Sequence, residues 1–290
     1  MKASELVLAP DGSLYHIHLM SSTLADKVLL VGDPARVDMF KEIFERIDFE
    51  SHNRELHALT GIYHGSRMTA LSTGMGCDNI DIVMTELDAA LRVENGEWNP
   101  KSDRHLQLVR IGTSGSLQAD IDCGSHVAAR YAIGLDGLMN YYKEWNESKS
   151  QRAEESKMEE AFLQHMQFDN HLARPYCVAG SEPLLDRIAT DMHHGITATA
   201  PGFYGPQGRT IRLHPAIDNL NEKLASFRFE GTPVTNLEME TSAIYGFSHL
   251  LGHEALTVCL IIANRPRGTF LNDYHPQMRQ LVGTVVERLA

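Results

Sequence analysis

The chain has 290 residues, of which 43% are hydrophobic and 22% charged, an ordinary balance for a globular protein with a large core. Acidic residues outnumber basic ones by 38 to 26, and the resulting formal charge of −12 argues against nucleic-acid binding as the main task. A small anionic ligand is still compatible with this charge, because a few clustered arginines can dominate the local field.

The opening residues, the apolar runs and the cysteines together predict a cytoplasmic protein with no membrane partner. No apolar run approaches the roughly 20 residues that a membrane-spanning helix needs, and the opening "MKASELVLAPDGS" lacks the apolar stretch of a signal peptide. No CxxC pair is present, so neither a zinc site nor a redox pair is expected. The four cysteines are Cys77, Cys123, Cys177 and Cys259.

Short apolar runs alternate with amphipathic stretches along the chain. In order, we predict a strand at 27–32, a helix at about 35–44, a strand at 66–74, a helix at 78–92, strands at 106–115 and 125–134, helices at 181–195 and 237–252, a strand at 256–265 and a helix at 274–290. Glycines 195 and 252 are expected to close two of these helices as C-caps. The alternation predicts an α/β fold with a largely buried sheet.

Two polar segments interrupt this alternation. The segment 93–105 is rich in turn residues, and the segment 143–160 is highly charged. A charge run of this kind most simply forms a solvated loop or an exposed helix. We therefore treat both as insertions in one domain that spans residues 1–290.

The run "VGDPAR" (31–36) follows a predicted strand and opens a predicted helix. A helix N-terminus presents free backbone N–H groups and the positive end of the helix dipole, which suit an anion. Arg36 would add a full positive charge. A plain turn with a surface arginine is the alternative, and by itself the commoner one.

The run "RIGTSG" (110–115) repeats this arrangement at the end of another strand. Arg110 is unexpected in a buried strand, since an unpaired charge there is costly. It could form a buried salt bridge, or it could hold an anion at the carboxyl edge of the sheet, where open α/β folds bind ligands. We favour the second interpretation.

The run "NLEMET" (236–241) places Glu238 and Glu240 around Met239 at a predicted helix start. Interaction with the helix dipole explains one glutamate well. The helix dipole does not explain the second glutamate as well. A carboxylate is a good hydrogen-bond acceptor for the vicinal hydroxyls of a sugar such as ribose.

The stretch "TATAPGFYGPQGR" (197–209) begins with residues suited to a sheet and continues into a glycine- and proline-rich turn. The turn carries Phe203 and Tyr204 as a stacking surface, Gln207 as an amide that can donate and accept, and Arg209 as a planar cation. Such a set could recognise a flat, polar ligand.

Three short histidine-containing motifs are candidate metal-binding sites. In "YHIH" (15–18) two histidines stand at i and i+2, which is too few for a site without a third ligand. The pair at 193–194 is expected to end a helix, and "SHNRE" (51–55) holds one more. We expect no metal.

These motifs resemble those of nucleoside phosphorylases of the hexameric type, over roughly residues 13–290. The matching runs, in the family's order, are "VGDPARV", "RIGTSG", "FYGPQGR", "NLEMETSA" and "IIANR". The pattern around Phe203, Gln207 and Arg209 is similar to the pyrimidine branch, the uridine phosphorylases. The resemblance implies a single α/β domain with a central mixed, twisted β-sheet flanked by helices.

The resemblance also implies reversible phosphorolysis of uridine, with phosphate as co-substrate and no cofactor. Phosphate would be held by Gly32, Arg36, Arg110 and Thr113, with Arg54 contributed by a neighbouring subunit. Ribose would be held by Met239 and Glu240, with His16 crossing a dimer interface to the 5′-hydroxyl. The base would be held by Ser114, Gly115, Phe203, Gln207 and Arg209. A homodimer would be the minimal active unit, either alone or within a hexamer built as a trimer of dimers. Some relatives bind a monovalent cation at the dimer interface through a glutamate aligned with Glu55, but the surrounding residues differ here and we do not claim that site.

In this chemistry Arg110, Glu240 and Arg209 would be the catalytic residues. Breaking the glycosidic bond builds positive charge on ribose and negative charge on the base. Phosphate on Arg110 and the carboxylate of Glu240 would stabilise the sugar, and donors such as Arg209 would stabilise the departing uracil.

Three alternatives remain open from the sequence. A purine nucleoside phosphorylase of the same fold typically uses an aspartate after the last strand, where this chain has Asn264 and Arg265. A nucleosidase that uses water would leave the phosphate arginines without a task. A non-catalytic nucleoside-binding protein could keep the same pocket.

Overall fold

The computed structural model describes residues 2, 4–94, 97–99, 101–168 and 171–290. Its strands are β1 (Lys27–Val31), β2 (Arg46–Asn53), β3 (Leu56–Tyr63), β4 (Ser66–Ser72), β5 (Val93–Glu94), β6 (Glu97–Trp98), β7 (Gln107–Ser116), β8 (His126–Gly134), β9 (Tyr176–Ala179), β10 (His193–Thr199), β11 (Arg228–Phe229), β12 (Thr232–Glu238), β13 (Glu254–Asn264) and β14 (Thr269–Phe270). Its α-helices are α1 (Pro34–Lys41), α2 (Cys77–Arg92), α3 (Lys143–Glu147), α4 (Ala153–Met166), α5 (Glu182–Ile188), α6 (Leu220–Ser226), α7 (Thr241–Leu251) and α8 (His275–Leu289). None of these helices has the length and apolar character needed to cross a bilayer.

One mixed sheet organises the described chain, with β11, β12, β10, β8, β13, β7, β1, β4, β3 and β2 as successive neighbours. The pairs β1–β4, β1–β7, β7–β13, β8–β10 and β10–β12 are parallel, and the outer hairpin β2–β3 is antiparallel. The predicted α/β fold with a mixed sheet flanked by helices is therefore confirmed.

The sheet also closes on itself, and this closure positions the site. The last residues of β12 pair with the last residues of β7, so that Leu237 lies opposite Gly115 and Asn236 opposite Ser116. Two segments more than a hundred residues apart thereby end at the same place. The carboxyl ends of β1 and β13 flank this junction through their parallel pairing with β7.

Helices cover both faces of the sheet. On one face α2 and α7 bury residues such as Ile80, Leu87 and Ile244. On the other face α1, α5 and α8 pack through residues such as Phe40 and Leu281. The rows of apolar side chains at helical spacing face the sheet, because burying them there is the dominant favourable term in folding.

The predicted helix at 181–195 is wrong in its second half. Helix α5 ends at Ile188, and His193 and His194 begin strand β10 instead of ending a helix. Gly195 is not a C-cap: a Cβ there would lie 2.2 Å from Thr235 Cγ2 on the neighbouring strand. Pairing with β8 and β12 on both sides overrides the local helical pattern.

The helix predicted from 237 begins later, at Thr241, because Leu237 and Glu238 end strand β12. Its predicted end is confirmed. Gly252 caps the helix in the left-handed conformation at φ 75°.

The charged segment 143–160 is helical, as one of the two expected forms, but it is not simply a solvated surface. Trp145 is buried, and the Arg152 guanidinium lies 3.4 Å from the centre of its ring. Met158 and Phe162, four residues apart on α4, are also fully buried. In the other polar segment β5 and β6 form a short hairpin, and residues 95, 96 and 100 lie outside the described part.

Candidate active site

A cavity of about 1050 Å³ lies at the carboxyl ends of β1, β7, β12 and β13. Most of the residues predicted for a site line it, which is the main agreement between sequence and structure. They are Gly32, Arg36, Arg110, Thr113, Ser114, Gly115, Phe203, Gln207, Arg209, Met239 and Glu240. A neighbouring apolar cavity of about 920 Å³ shares Arg209 but is lined by none of the residues predicted to hold phosphate or ribose.

Two arginines occupy one end of the cavity. Arg110 is 4% exposed on β7, and Arg36, near the start of α1, donates from Nη1 to the Ile111 carbonyl at 3.3 Å. Within the described residues, Arg36 Nε and Arg110 Nε and Nη1 are buried without a hydrogen-bond partner. Buried donors of this kind are costly unless something accepts from them, so this end of the cavity is suited to an anion.

Glycine at position 112 makes room for the Arg110 side chain. A Cβ on Gly112 would lie 1.8 Å from Arg110 Nη1, far closer than two non-bonded heavy atoms can approach. The motif "RIGTSG" thus needs glycine for close approach of a side chain and not for a turn, because Gly112 lies inside strand β7.

Glu240 is the acidic partner of Arg110. Its Oε2 accepts from Arg110 Nη2, and its Oε1 accepts from the Gly76 N–H at 2.7 Å. Burial opposes the charge of Arg110, yet the Glu240 and Glu238 carboxylates raise the pKa of the guanidinium above its usual range. Burial also raises the pKa of the Glu240 carboxyl, an effect that Arg110 opposes. The buried salt bridge, one of the two alternatives set out from the sequence, is therefore formed, and Arg110 Nε and Nη1 still have donors for the proposed anion.

Among the residues that the structure describes, no carboxylate contacts Arg36. Burial, followed by repulsion from Arg110, lowers the pKa of its guanidinium. Helix α1 starts beside it, where the Asp33 side chain accepts from the Ala35 N–H at 2.9 Å. A bound anion would relieve both the repulsion and the unpaired Arg36 donor.

The two glutamates of "NLEMET" have different tasks. Glu238 accepts from the Glu240 and Thr241 N–H groups at the start of α7 and from Thr199 Oγ1 at 2.7 Å. It is the glutamate that satisfies the helix N-terminus. Glu240 is the one paired with the cavity arginine.

The opposite end of the cavity is built around the Gln207 amide. Its Oε1 accepts from Arg209 Nη1 at 2.7 Å and from Arg265 Nη2 at 2.6 Å. Two arginine donors fix the orientation of the amide, because its nitrogen could not accept from either. The Arg209 guanidinium also lies 3.8 Å from the centre of the Phe203 ring. Gln207 is 3% exposed, so its amide is desolvated, whereas the Phe203 side chain is half exposed.

Arg265 is not among the residues predicted from the sequence. Its Nη1 donates to the Gln207 carbonyl at 2.6 Å and to Asn221 Oδ1 at 3.2 Å. Burial, followed by the charge of Arg209, lowers the pKa of Arg265 to about 10. A sequence signal for Arg265 was present, because an arginine directly follows a buried strand in the quoted run "IIANR".

Ser114 and Gly115 join the two ends. Ser114 Oγ accepts from Asn236 Nδ2 at 2.9 Å. A Cβ on Gly115 would lie 3.1 Å from Arg265 Nε, so glycine there leaves space for Arg265.

Two predicted residues do not line the cavity. His16 Nδ1 contacts Glu86 Oε1 at 2.5 Å, and the same carboxylate accepts from the His16 and Ile17 N–H groups. Arg54 is exposed in the turn between β2 and β3, at φ 55°. Glu55, the next residue, does line the cavity.

Comparison with known proteins gives the same family throughout. The family model described as the phosphorylase superfamily matches residues 26–289. A uridine phosphorylase of Thermococcus kodakarensis is 28% identical over 263 residues, 90% of this chain and 80% of that protein. A DeoD-type purine nucleoside phosphorylase of Alkaliphilus metalliredigens is 28% identical over 247 residues, 85% of each chain. The solved structure of a Trypanosoma brucei nucleoside phosphorylase, described as showing uridine phosphorylase activity, superposes with a TM-score of 0.84 at 29% identity, over 98% of this chain and 99% of that one.

Proposed function

Because this chain belongs to the phosphorylase superfamily, we propose that it is a uridine phosphorylase, converting uridine and phosphate reversibly to uracil and ribose 1-phosphate. The observation that carries the proposal is the cavity with unpaired arginine donors at one end and the Gln207–Arg209 pair at the other. The first set suits phosphate and the second suits the polar edge of a pyrimidine. The curated relative and the solved structure with uridine phosphorylase activity support the same choice.

In the proposed mechanism, phosphate binds between Arg36 and Arg110, with Gly32 and Thr113 at its sides. A phosphate oxygen forms a bond to C1′ of ribose as the bond from C1′ to the base nitrogen breaks. The electron pair of the broken bond leaves with uracil. Two guanidiniums hold the phosphate dianion against a sugar that becomes positively charged, so the bound phosphate stabilises the transition state more than the ground state.

Glu240 and Met239 would hold the ribose. The Glu240 carboxylate is already oriented by Arg110 and by the Gly76 N–H. Phosphate would take up part of the Arg110 donor capacity and leave a Glu240 oxygen able to accept from a ribose hydroxyl. The same carboxylate adds negative charge near the cationic sugar.

The base would bind between Phe203 and the edge formed by Gln207 and Arg209, beside Ser114 and Gly115. Uracil presents a carbonyl, an N–H and a second carbonyl. Gln207 Oε1 already accepts two donors, so accepting the uracil N3–H requires one guanidinium to move. We propose that Arg209 moves onto a uracil carbonyl while Arg265 keeps Gln207 in place. The departing base would then be stabilised as an anion, without a protein acid.

A complete site would need a second subunit. His16 and Arg54, which do not line the cavity of their own chain, would reach the ribose and phosphate of a partner within a homodimer. No cofactor takes part in this scheme. A cytoplasmic location fits the four cysteines, which are all free thiols.

One experiment separates the candidate functions. Uridine, cytidine and inosine are each incubated with and without phosphate, and release of free base is followed. A uridine phosphorylase releases uracil only when phosphate is present. Release without phosphate would identify a nucleosidase, preference for inosine would identify a purine nucleoside phosphorylase, and no release from any substrate would favour a non-catalytic binding protein.

A further inference from the structure

A second cluster of ligating side chains lies on the hairpin of β2 and β3. Within the described residues, Glu50, His52 and His57 each bring one ligand atom to within 4.8 Å of the other two. None of these side chains lines the active-site cavity. We propose that they form a binding site for a divalent transition metal, with Zn²⁺ as the best fit.

The strand pairing creates this set. Glu50 and His52 stand two residues apart on β2, and therefore on the same face. His57 lies directly opposite His52 in the antiparallel register. The two imidazoles stack with their ring centres 3.7 Å apart. Sequence spacing alone does not reveal the third ligand, because it comes from the other strand.

The distances suit a metal. Glu50 Oε1 lies 2.9 Å from His57 Nε2 and 3.1 Å from His52 Nε2. Ligands at about 2.0–2.1 Å from tetrahedral Zn²⁺ lie roughly 3.3 Å from one another. Stacked imidazoles cannot both direct an in-plane lone pair at one ion, so the exposed His52 ring would turn out of its stack on His57. With that rotation and a small shift of the exposed Glu50 side chain the ion would fit, with water as a fourth ligand.

The hydrogen bonds of His57 also support a metal site. Its Nδ1 lies 3.3 Å from the Pro34 carbonyl, and its Nε2 faces the Glu50 carboxylate, so both ring nitrogens face acceptors. A neutral imidazole has one N–H and one lone pair, and can donate to only one of them. Donation from Nδ1 to a backbone carbonyl, with Nε2 on the ion, is the usual arrangement of a metal-bound histidine.

Lys41 is the competing cation. Its Nζ lies 2.6 Å from Glu50 Oε1 and 3.0 Å from Asp38 Oδ1. Lys41 therefore competes with a metal ion for Glu50. With a metal bound to Glu50, Lys41 would retain Asp38 as its partner.

The location gives the site a structural task. His57 contacts Pro34, the first residue of α1, and this helix carries Arg36. A metal bound to His57 would keep its ring in contact with Pro34, and would thereby stabilise the start of α1 beside the active site. It would not take part in the reaction.

The test measures Zn²⁺ binding to the metal-free protein by calorimetry, and Co²⁺ binding by its visible absorption. The wild-type chain should bind one ion, and the His52→Ala and Glu50→Gln variants should bind at least about tenfold more weakly. The matched control is His64→Ala. His64 is exposed in the turn between β3 and β4, and its carboxylate contact within the described part of the chain is Glu45. The affinity of this variant for Zn²⁺ should equal that of wild type. His57 is buried and its replacement could disturb folding, so it is not used.

The Lys41→Ala variant distinguishes a metal site from an ion-pair cluster. Removing a competing cation should strengthen Zn²⁺ binding and should leave a larger rise in melting temperature on adding Zn²⁺. Absence of binding by the wild type and by Lys41→Ala, or equal affinities for wild type and His52→Ala, would overturn the proposal.

Discussion

Arg110 and Glu240, 130 positions apart in the sequence, form a buried ion pair at the end of the cavity that also holds Arg36. Breaking a buried pair by removing one partner is costly, because the other charge is left without compensation. The pair therefore links folding to the site: Arg110 is held in place by the carboxylate that would bind the ribose. Three Arg110 and Arg36 nitrogens remain without partners for an anion.

The Arg110→Ala variant should lose at least about tenfold in kcat/KM, since one charge-assisted hydrogen bond contributes about 1.5–3 kcal/mol. It should also unfold at a lower temperature, because Glu240 keeps its burial and loses its counter-charge. Steady-state rates at varied phosphate and a thermal melt measure the two effects. Unchanged turnover would contradict the proposed phosphate site, as would equal turnover without phosphate.

The Gly112→Ala variant should displace the Arg110 side chain, because the added Cβ would overlap Nη1. We expect a raised KM for phosphate and lowered stability. Gly283→Ala is the matched control: it lies within helix α8 with nothing within 4 Å of the added atom. That change should leave the kinetics alone and gain up to about 1 kcal/mol of helix stability. A normal phosphate KM in Gly112→Ala would show that Arg110 is not held as described.

The Arg209→Ala variant should lower kcat/KM for uridine by a few kcal/mol in transition-state binding while leaving the KM for phosphate nearly unchanged. Cytosine carries a donor in place of one carbonyl and lacks the N3 proton, and arginine has donors only. Sites built on such hydrogen bonds reject the wrong ligand by roughly 10⁴-fold or more. We therefore expect uridine to be cleaved and cytidine to be essentially refused.

The control for this series is Arg212→Ala, three residues further along and exposed. It should behave as wild type with uridine. Comparable kcat/KM values for uridine and cytidine in the wild-type enzyme would show that Gln207 and Arg209 do not discriminate between the two bases.

A mixture of Arg54→Ala and Glu240→Ala should recover activity that neither variant has alone. If Arg54 acts in the partner's site, each mixed dimer combines an intact Glu240 from one chain with an intact Arg54 from the other, and regains one of its two sites. The variants are unfolded, mixed and refolded together, and the activity is compared with that of each alone. Mixed oligomers without activity would mean that each chain forms its own site.

The Glu50→Gln variant should be less stable than wild type near neutral pH, and the difference should vanish in acid. The hydrogen bond from Lys41 is the largest cause that lowers the pKa of Glu50, from 4.5 to about 2. A carboxylate with a lowered folded-state pKa stabilises the fold above its unfolded value and loses this contribution as the pH falls through the folded one. Urea unfolding of metal-free protein across this range measures the difference. A constant difference down to the lowest pH would contradict the assignment.

The class of fold follows from the sequence alone, and most of the site residues expected from the sequence line the cavity. Local patterns suffice for this: apolar runs mark buried strands, and polar residues directly after them lie at the carboxyl edge of the sheet. Arg36 and Arg110 follow from their positions near the ends of predicted strands. The roles of Gly32 and Gln207 came from the resemblance to nucleoside phosphorylases, and all four residues line one cavity.

Only the tertiary structure decided which partners these residues meet. The pairing of β12 with β7 brings Glu240 to Arg110, and the end of β13 brings Arg265 to Gln207. Pairing on both sides turns 193–199 into a strand, where the local pattern predicts a helix. The register of β2 and β3 sets His57 against His52. Contacts between distant segments depend on how strands pair and not on local spacing, so no short stretch of the sequence contains them.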